Sequence, residues 1–415
     1  MARLTTNAPK GFRPVPRTGV IYVMTEASRR GYQRTDTNWA NLGQGAPETG
    51  HLPNSPERIT SIVLDDSDNE YAPIDGLPEL RDAVANLYNQ RYRQKHKSKY
   101  RRENVAISAG GRIALTRLVS TLGRTNVGHF LPDYTAYEEL LDAFGTFSPI
   151  PILLDPSENY SFSSEQLRKE ILGRGLSAIL LSNPCNPTGK MIYGSELEQW
   201  VAVAREIGCT IILDEFYSHY TYASDCLSVS AAAYVEDVNR DPIVIVDGLT
   251  KNWRYPGFRV CWTVGPESII EGVSSAGSFL DGGCARPMQK VALRLVSQDV
   301  ADKEARAIKE TFSTKRDYLF NNLLRLGISV NPAPFGGFYC WGDLSGLPKN
   351  LQNGMSFFER ALDAKTIVVP GEFFDINPGR RRAERPSRFQ NYVRFSFGPP
   401  LEEIERGISS IEKFL

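Results

Sequence analysis

Six short, uninterrupted apolar runs in the middle of the chain constrain its fold more than any other feature. They are VAIS at 105–108, VGHFL at 127–131, AILLS at 178–182, TIILD at 210–214, IVIVD at 243–247 and VCWTV at 260–264. Each has strand length, and none alternates apolar with polar residues as a strand with one wet face does. Strands buried on both faces belong to a mostly parallel sheet with helices on both sides. Helical patterns at 77–95, 112–121, 137–143 and 194–207 fit between them. Near residue 300 the pattern changes to a long charged helix over 300–326, then short strands around ISVNPAP, GGFYCWGDL, TIVVPG and NYVRFSFG, and a closing helix from Leu401. The reading is an α/β chain in two parts: a large domain over 60–300, and a smaller α+β domain built from 301–415 with the N-terminal segment 1–59.

Composition narrows the class of partner. The 415 residues carry 48 basic and 48 acidic side chains and only 4 histidines. A duplex-binding surface shows a basic excess, so nucleic acid is not expected as a partner. With 41% hydrophobic and 23% charged residues the chain reads as globular. The cysteines at 185, 209, 226, 261, 284 and 340 never fall at C-x-x-C spacing and have no histidine cluster beside them. No metal site is therefore expected, and the thiols read as reduced. The opening segment lacks the apolar stretch of a signal peptide, and no apolar run approaches the ~20 residues that span a bilayer. A cytoplasmic protein with no membrane partner is expected. The basic stretch GRRRAERPSR at 379–388 reads as an exposed loop.

In open α/β sheets ligands bind beyond the carboxyl ends of the strands, and here those ends are chemically loaded. VAIS runs into Ala109-Gly110-Gly111-Arg112 and a helix, and AILLS into Asn183-Pro184-Cys185-Asn186-Pro187-Thr188-Gly189. TIIL runs into Asp214-Glu215-Phe216-Tyr217, and IVIV into Asp247-Gly248-Leu249-Thr250-Lys251. Gly110-Gly111 ahead of a helix suits an anion, although an ordinary tight turn reads the same way. It matches neither the dinucleotide nor the P-loop glycine pattern. Asp214 closes an apolar strand and needs a cationic or hydrogen-bonding partner, which a helix cap or ion pair would also supply. Lys251 at the sheet's mouth suits a Schiff-base amine once burial and nearby cations lower its pKa, whereas an isolated lysine would reach for solvent.

Taken together, NLGQGAP at 41–47, NPCNPTGK at 183–190, the lysine followed by YPGFR at 255–259, and NYVRFSFG at 391–398 resemble the fold type I pyridoxal-phosphate enzymes of the class I/II aminotransferase family. The resemblance implies a three-layer αβα large domain with a mostly parallel seven-stranded sheet. It implies a transaminase that moves an amino group from an amino acid to a 2-oxo acid. Lys251 would form the aldimine with pyridoxal 5'-phosphate and carry the proton. Asp214 would pair with the pyridine nitrogen, Asn186 and Tyr217 would donate to the ring hydroxylate, and Tyr134 would stack on the ring. The phosphate would sit against Gly110, Gly111 and Arg112, with Thr250 and Arg259 completing the cradle. Tyr71 would reach the phosphate of a neighbouring subunit in a homodimer with shared active sites. Arg394 would grip the substrate α-carboxylate, with Gly45 and Asn186 beside it.

Three departures from the family pattern stand out, the first being Arg112, which follows the glycine pair where a small or polar residue is common. Where Ser-x-Ser/Thr-Lys is usual, Gly248 occupies the serine position. In the segment 282–289, where small hydroxyl residues are usual, Arg286 offers a contact to a second carboxylate or to the phosphate; a solvent-facing arginine at a helix start reads equally well. Tyr22, Trp39, Trp253, Phe338 and Tyr339 would admit an aromatic substrate, though core packing is the commoner task of such residues. The same lysine, aspartate and arginine would also serve a β- or γ-elimination or replacement lyase, a decarboxylase or an oxygen-using amino-acid oxidase.

Overall fold

The apolar runs become strands of one sheet. The computed structural model describes residues 11, 19–223, 226–382 and 385–415. Residues 1–10 and 12–18 of the expected N-terminal contribution to the small domain, and 383–384 of the basic loop, lie outside the described residues. The strands are β1 (Val105–Ser108), β2 (Asn126–Leu131), β3 (Ser148–Leu153), β4 (Leu176–Ser182), β5 (Thr210–Asp214), β6 (Ile243–Gly248) and β7 (Cys261–Val264). They lie in the order β1-β7-β6-β5-β4-β2-β3. β2 to β6 pair in parallel, and β7 runs antiparallel to both its neighbours, so β1 to β6 all point the same way.

Alternate residues of each strand enter two separate cores, which makes the sheet the middle of three layers. Ala106, Ile212, Val244 and Val246 join Ala114, Leu115 and Leu118 of helix Gly111–Ser120 and Ile270 and Val273 of helix Glu267–Leu280. Ile107, Ile211, Leu213 and Ile245 join Leu80 and Val84 of helix Pro78–Tyr92 and Leu197 and Trp200 of helix Gly194–Ile207 on the other face. Burial on both sides is why these strands read as continuous apolar runs.

β3 escaped the sequence reading because SPIPIL contains two prolines. The amides of Ser148 and Leu154 donate to Thr125 and Leu131 on the β2 side. Pro149 and Pro151, out of phase with them, turn their missing N–H groups to the free edge, the one sheet position that tolerates proline.

The C-terminal part is α+β. Helix Gln298–Arg325, capped by the Ser297 side chain on the Val300 amide, leads into β8 (Ser329–Val330) and β9 (Tyr339–Asp343). With β10 (Val369–Pro370) and β11 (Tyr392–Ser396) these make an antiparallel sheet in the order β10-β11-β9-β8. The TIVVPG run, read as one strand, is split. Its first half, Thr366–Ile367, pairs in parallel with Ala40–Asn41, bringing the N-terminal segment onto this part of the chain. Among the described residues of the basic loop, Arg380, Arg381, Arg385 and Arg388 are exposed, as read from the sequence.

Candidate active site

Because β1 to β6 are co-directional, their loaded ends share one edge of the sheet. Ser182 at the end of β4 is in register with Asp214 at the end of β5, and Asp214 with Val246 of β6. Lys251 follows β6 by three residues, and its amine donates to the carbonyl oxygen of Gly45, from the N-terminal segment. Burial pushes that amine down to about 7; the guanidinium groups of Arg394, Arg259 and Arg112 press the same way and Asp214 opposes them.

Asp214 is buried, and burial pushes its carboxyl up to about 6. Three groups hold its charge against that cost: the Tyr137 hydroxyl, which donates to Oδ2 at 2.8 Å, the amide of Phe216 at 3.4 Å, and the charge of Lys251. A poised carboxyl facing a poised amine is characteristic of catalytic sites.

Arg394 on β11 is 1% exposed, and among the described residues its fork is held only by neutral acceptors. Nη1 donates to Asn186 Oδ1 and Nη2 to the Gly43 carbonyl, each at 2.8 Å, and Nε has no partner among the described residues. Its guanidinium lies over the Tyr339 ring, 4.1 Å from the centroid. The Tyr339 hydroxyl in turn meets the Tyr217 hydroxyl at 3.0 Å.

The glycine turn after β1 is flanked by two arginines, Arg112 and Arg259. Gly110 has φ of +97° and caps helix Gly111–Ser120; a Cβ there would overlap the Arg259 guanidinium. At Gly111 a Cβ would fall 2.5 Å from the Phe216 ring. Arg112 donates to the Tyr134 hydroxyl at 3.3 Å, and Thr250 Oγ1 lies 3.5 Å from Cys261 Sγ. Ser108 Oγ is buried beside this turn with no partner among the described residues.

Tyr71 and Arg286 form a second group. Arg286 opens helix Arg286–Leu293, and its Nη1 donates to the Tyr71 carbonyl at 3.4 Å, while the Tyr71 side chain is 93% exposed. No hydrogen bond among the described residues joins this pair to the Lys251 cluster.

Sequence reasoning missed Tyr137 and took Tyr339 only as an aromatic neighbour of the site. Tyr137 stands three residues after Tyr134, a spacing that puts the two on one side of a turn, and their rings meet edge to face at 5.5 Å. Asp133 was also missed. It accepts from Ser182 Oγ at 2.6 Å, and Ser182 Oγ accepts from the Asn186 amide at 3.1 Å, so a buried relay holds the Asn186 loop. Of the other aromatics, Trp39 and Trp253 are core residues, and Tyr22 packs on Phe358 and Phe373. No cluster of described residues could hold a metal, and no described helix is long and apolar enough to cross a membrane.

Lys251 and Asp214, at the carboxyl edge of the parallel sheet, thus lie close to Arg394, which the antiparallel C-terminal sheet brings in through its hydrogen bond to Asn186. The aminotransferase class I and II family model matches residues 37–411, and the chain belongs to that family. It is an aminotransferase of fold type I. It is 26% identical over 378 residues to a probable aspartate/prephenate aminotransferase of Aquifex aeolicus, covering 90% of each chain. It is also 26% identical to an aspartate aminotransferase of Streptomyces avermitilis, covering 90% of this chain and 88% of that one. The fold superposes on a mutant aspartate aminotransferase of Thermus thermophilus with a TM-score of 0.78, at 22% identity and 98% coverage of each chain.

Proposed function

We propose that this aminotransferase holds pyridoxal phosphate through Lys251 and moves an amino group from an amino acid to a 2-oxo acid. The observation that carries the reading is the placement of the Lys251 amine just beyond β6, on the Gly45 carbonyl and among Asp214 and the guanidinium groups of Arg394, Arg259 and Arg112, a setting that pushes it down to about 7. At neutral pH much of it is unprotonated, the form needed to attack a carbonyl and to carry a proton. The site suits the cofactor on its own chemistry: a glycine-lined helix start flanked by Arg112 and Arg259 for a phosphate, and an acidic partner at Asp214 for a ring nitrogen. When bound, pyridoxal phosphate supplies the electron sink that makes an amino-acid α-proton removable.

The remaining roles belong to the chain. Asp214 would hold the ring nitrogen protonated, Asn186 and Tyr217 would donate to the ring hydroxyl, and Tyr134 would cover one ring face. Gly110, Gly111, Arg112, Thr250 and Arg259 would bind the phosphate. Arg394 and Gly45 would orient the substrate carboxylate. Since Arg394 is held only by neutral acceptors, an incoming carboxylate gains a charged partner without breaking an ion pair. We assign residues 60–300 to the cofactor-binding domain and 1–59 with 301–415 to the small domain. The active unit in this reading is a cytoplasmic homodimer, in which Tyr71 and Arg286 serve the neighbouring subunit's phosphate and an acidic substrate group.

The test is the visible spectrum of protein loaded with pyridoxal phosphate. An absorbance band that L-aspartate or another amino acid bleaches and a 2-oxo acid restores is expected. Lys251→Ala should abolish the band and lower turnover by at least about 10²–10⁴-fold, the contribution of a positioned acid–base group. A loaded wild type without a band, or a Lys251→Ala variant that keeps both, rejects the reading.

A further inference from the structure

Tyr339 stands on β9, in the C-terminal sheet, yet its hydroxyl reaches Tyr217 beyond the end of β5 in the large sheet, at 3.0 Å. Both rings are buried, Tyr339 at 0% and Tyr217 at 7% exposure. Tyr217 is the only hydrogen-bond partner of the Tyr339 hydroxyl among the described residues. The Tyr339 ring is held in turn by the Arg394 guanidinium above it and by the Tyr217 and Phe338 rings, with centroids 5.7 and 4.6 Å away. Gly45, whose carbonyl accepts from Lys251, adjoins the same hydroxyl: a Cβ at Gly45 would lie 3.6 Å from it.

Two phenols in contact share one hydrogen bond, so one proton stays free to point elsewhere. If Tyr339 donates, the Tyr217 proton is left for a bound group, and the first bond polarises the second in a dry site. Among the described residues, the charged and titratable groups facing the pair are Arg394, Tyr134 and Tyr220; burial raises the phenols of Tyr217, Tyr339 and Tyr220, so all three remain neutral across the physiological range.

We propose that Tyr339 is a positioning residue: by donating to Tyr217 from the opposite part of the fold, it directs the Tyr217 hydroxyl toward the cofactor's ring oxygen and strengthens it as a donor. This rests on the reading that Tyr217 donates to that oxygen. The variants Tyr339→Phe, Tyr217→Phe and the double variant, each loaded with pyridoxal phosphate, would be titrated with pH by visible absorbance without substrate. A donor to the ring oxygen favours its ionised form, so losing the donor raises the midpoint. Tyr339→Phe is expected to raise it by about 0.5–1 pH unit, the worth of one neutral hydrogen bond. Tyr217→Phe should raise it further, and adding Tyr339→Phe to that background should change nothing more.

A Tyr339→Phe midpoint equal to wild type, or additive shifts in the double variant, overturns the coupling. A Tyr217→Phe midpoint equal to wild type overturns the underlying role of Tyr217 and the coupling with it. A merely structural Tyr339 would lower thermal stability and leave the midpoint in place. Should Tyr339→Phe fail to accumulate, Tyr339→His keeps a ring and a donor; a midpoint near wild type is expected, and one matching Tyr217→Phe overturns the proposal.

Discussion

Asp214 shows how one buried charge is kept useful. Its carboxyl, pushed up to about 6 by burial, depends on the Tyr137 hydroxyl as its nearest donor. Tyr137→Phe should push it higher, so that more of it is neutral at pH 7. The folded-state pKa is already raised, and the ionised form is present only above it. If Asp214 partners the cofactor's ring nitrogen, affinity for pyridoxal phosphate falls as pH drops through that value, and the fall begins at higher pH in Tyr137→Phe. At pH 7 the variant should bind about 10–100-fold more weakly, the range of a hydrogen bond to a charged group. Equilibrium dialysis from pH 5 to 8 measures this, and superimposable curves for the two proteins would rule it out. Asp214 and Lys251 were legible in the sequence because a polar residue closing an apolar run is conspicuous. Tyr137 and Tyr339 were not, because an aromatic among apolar neighbours reads as core until its hydroxyl partner is placed in space.

At the scale of elements, the missing serine at position 248 acquires a packing reason. Gly248 on β6 is in register with Cys261 on β7, and a Cβ at 248 would lie 2.5 Å from Cys261 Cα and 2.7 Å from the Val260 carbonyl oxygen. The antiparallel strand approaches too closely for any side chain. Gly248→Ser should cost about 1–3 kcal/mol, as overpacking does, read as a lower urea midpoint. Cys261→Ala should rescue it only in part, since it removes the overlap with Cys261 Sγ at 2.6 Å and leaves those with the two backbone atoms; an unchanged midpoint for Gly248→Ser would show that β7 can move away. The central strands were legible to within two residues because burial on both faces writes itself as an apolar run. Edge strand β3, with its two prolines, was not. Four helices were also missed: Gly19–Arg29, Ser164–Arg174, Glu267–Leu280 and Gly354–Asp363. Two of them carried readable starts, Ser163 with Gln166 in a capping box and Asn353 as an N-cap. In helix Ser164–Arg174 only Leu167 and Ile171 are buried, too narrow a stripe to register as a period.

At the scale of the molecule, an apolar segment is left uncovered: Ile62, Val63 and Leu64 are 41%, 94% and 63% exposed, and Tyr71 follows at 93%. Lys290 and Arg286, on one helix, tie this segment down through Asp65, Asp68 and the Tyr71 carbonyl. A held, exposed apolar segment suits a second copy of the chain. Sedimentation equilibrium should return twice the chain mass; Val63→Asp should shift it toward the monomer and loosen pyridoxal phosphate together with it. A wild type that sediments as a monomer with full activity would remove the partner from the site. By itself the sequence determined the layered α/β plan and the residues at the strand ends, because solvent exclusion and strand-end chemistry are local properties of short segments. Only the tertiary structure decided which groups meet: Tyr137 with Asp214, Tyr339 with Tyr217, Gly45 with Lys251, and Gly248 with the neighbouring strand. Those contacts join residues distant in the chain, and their energies depend on distance and burial, which local patterns do not encode.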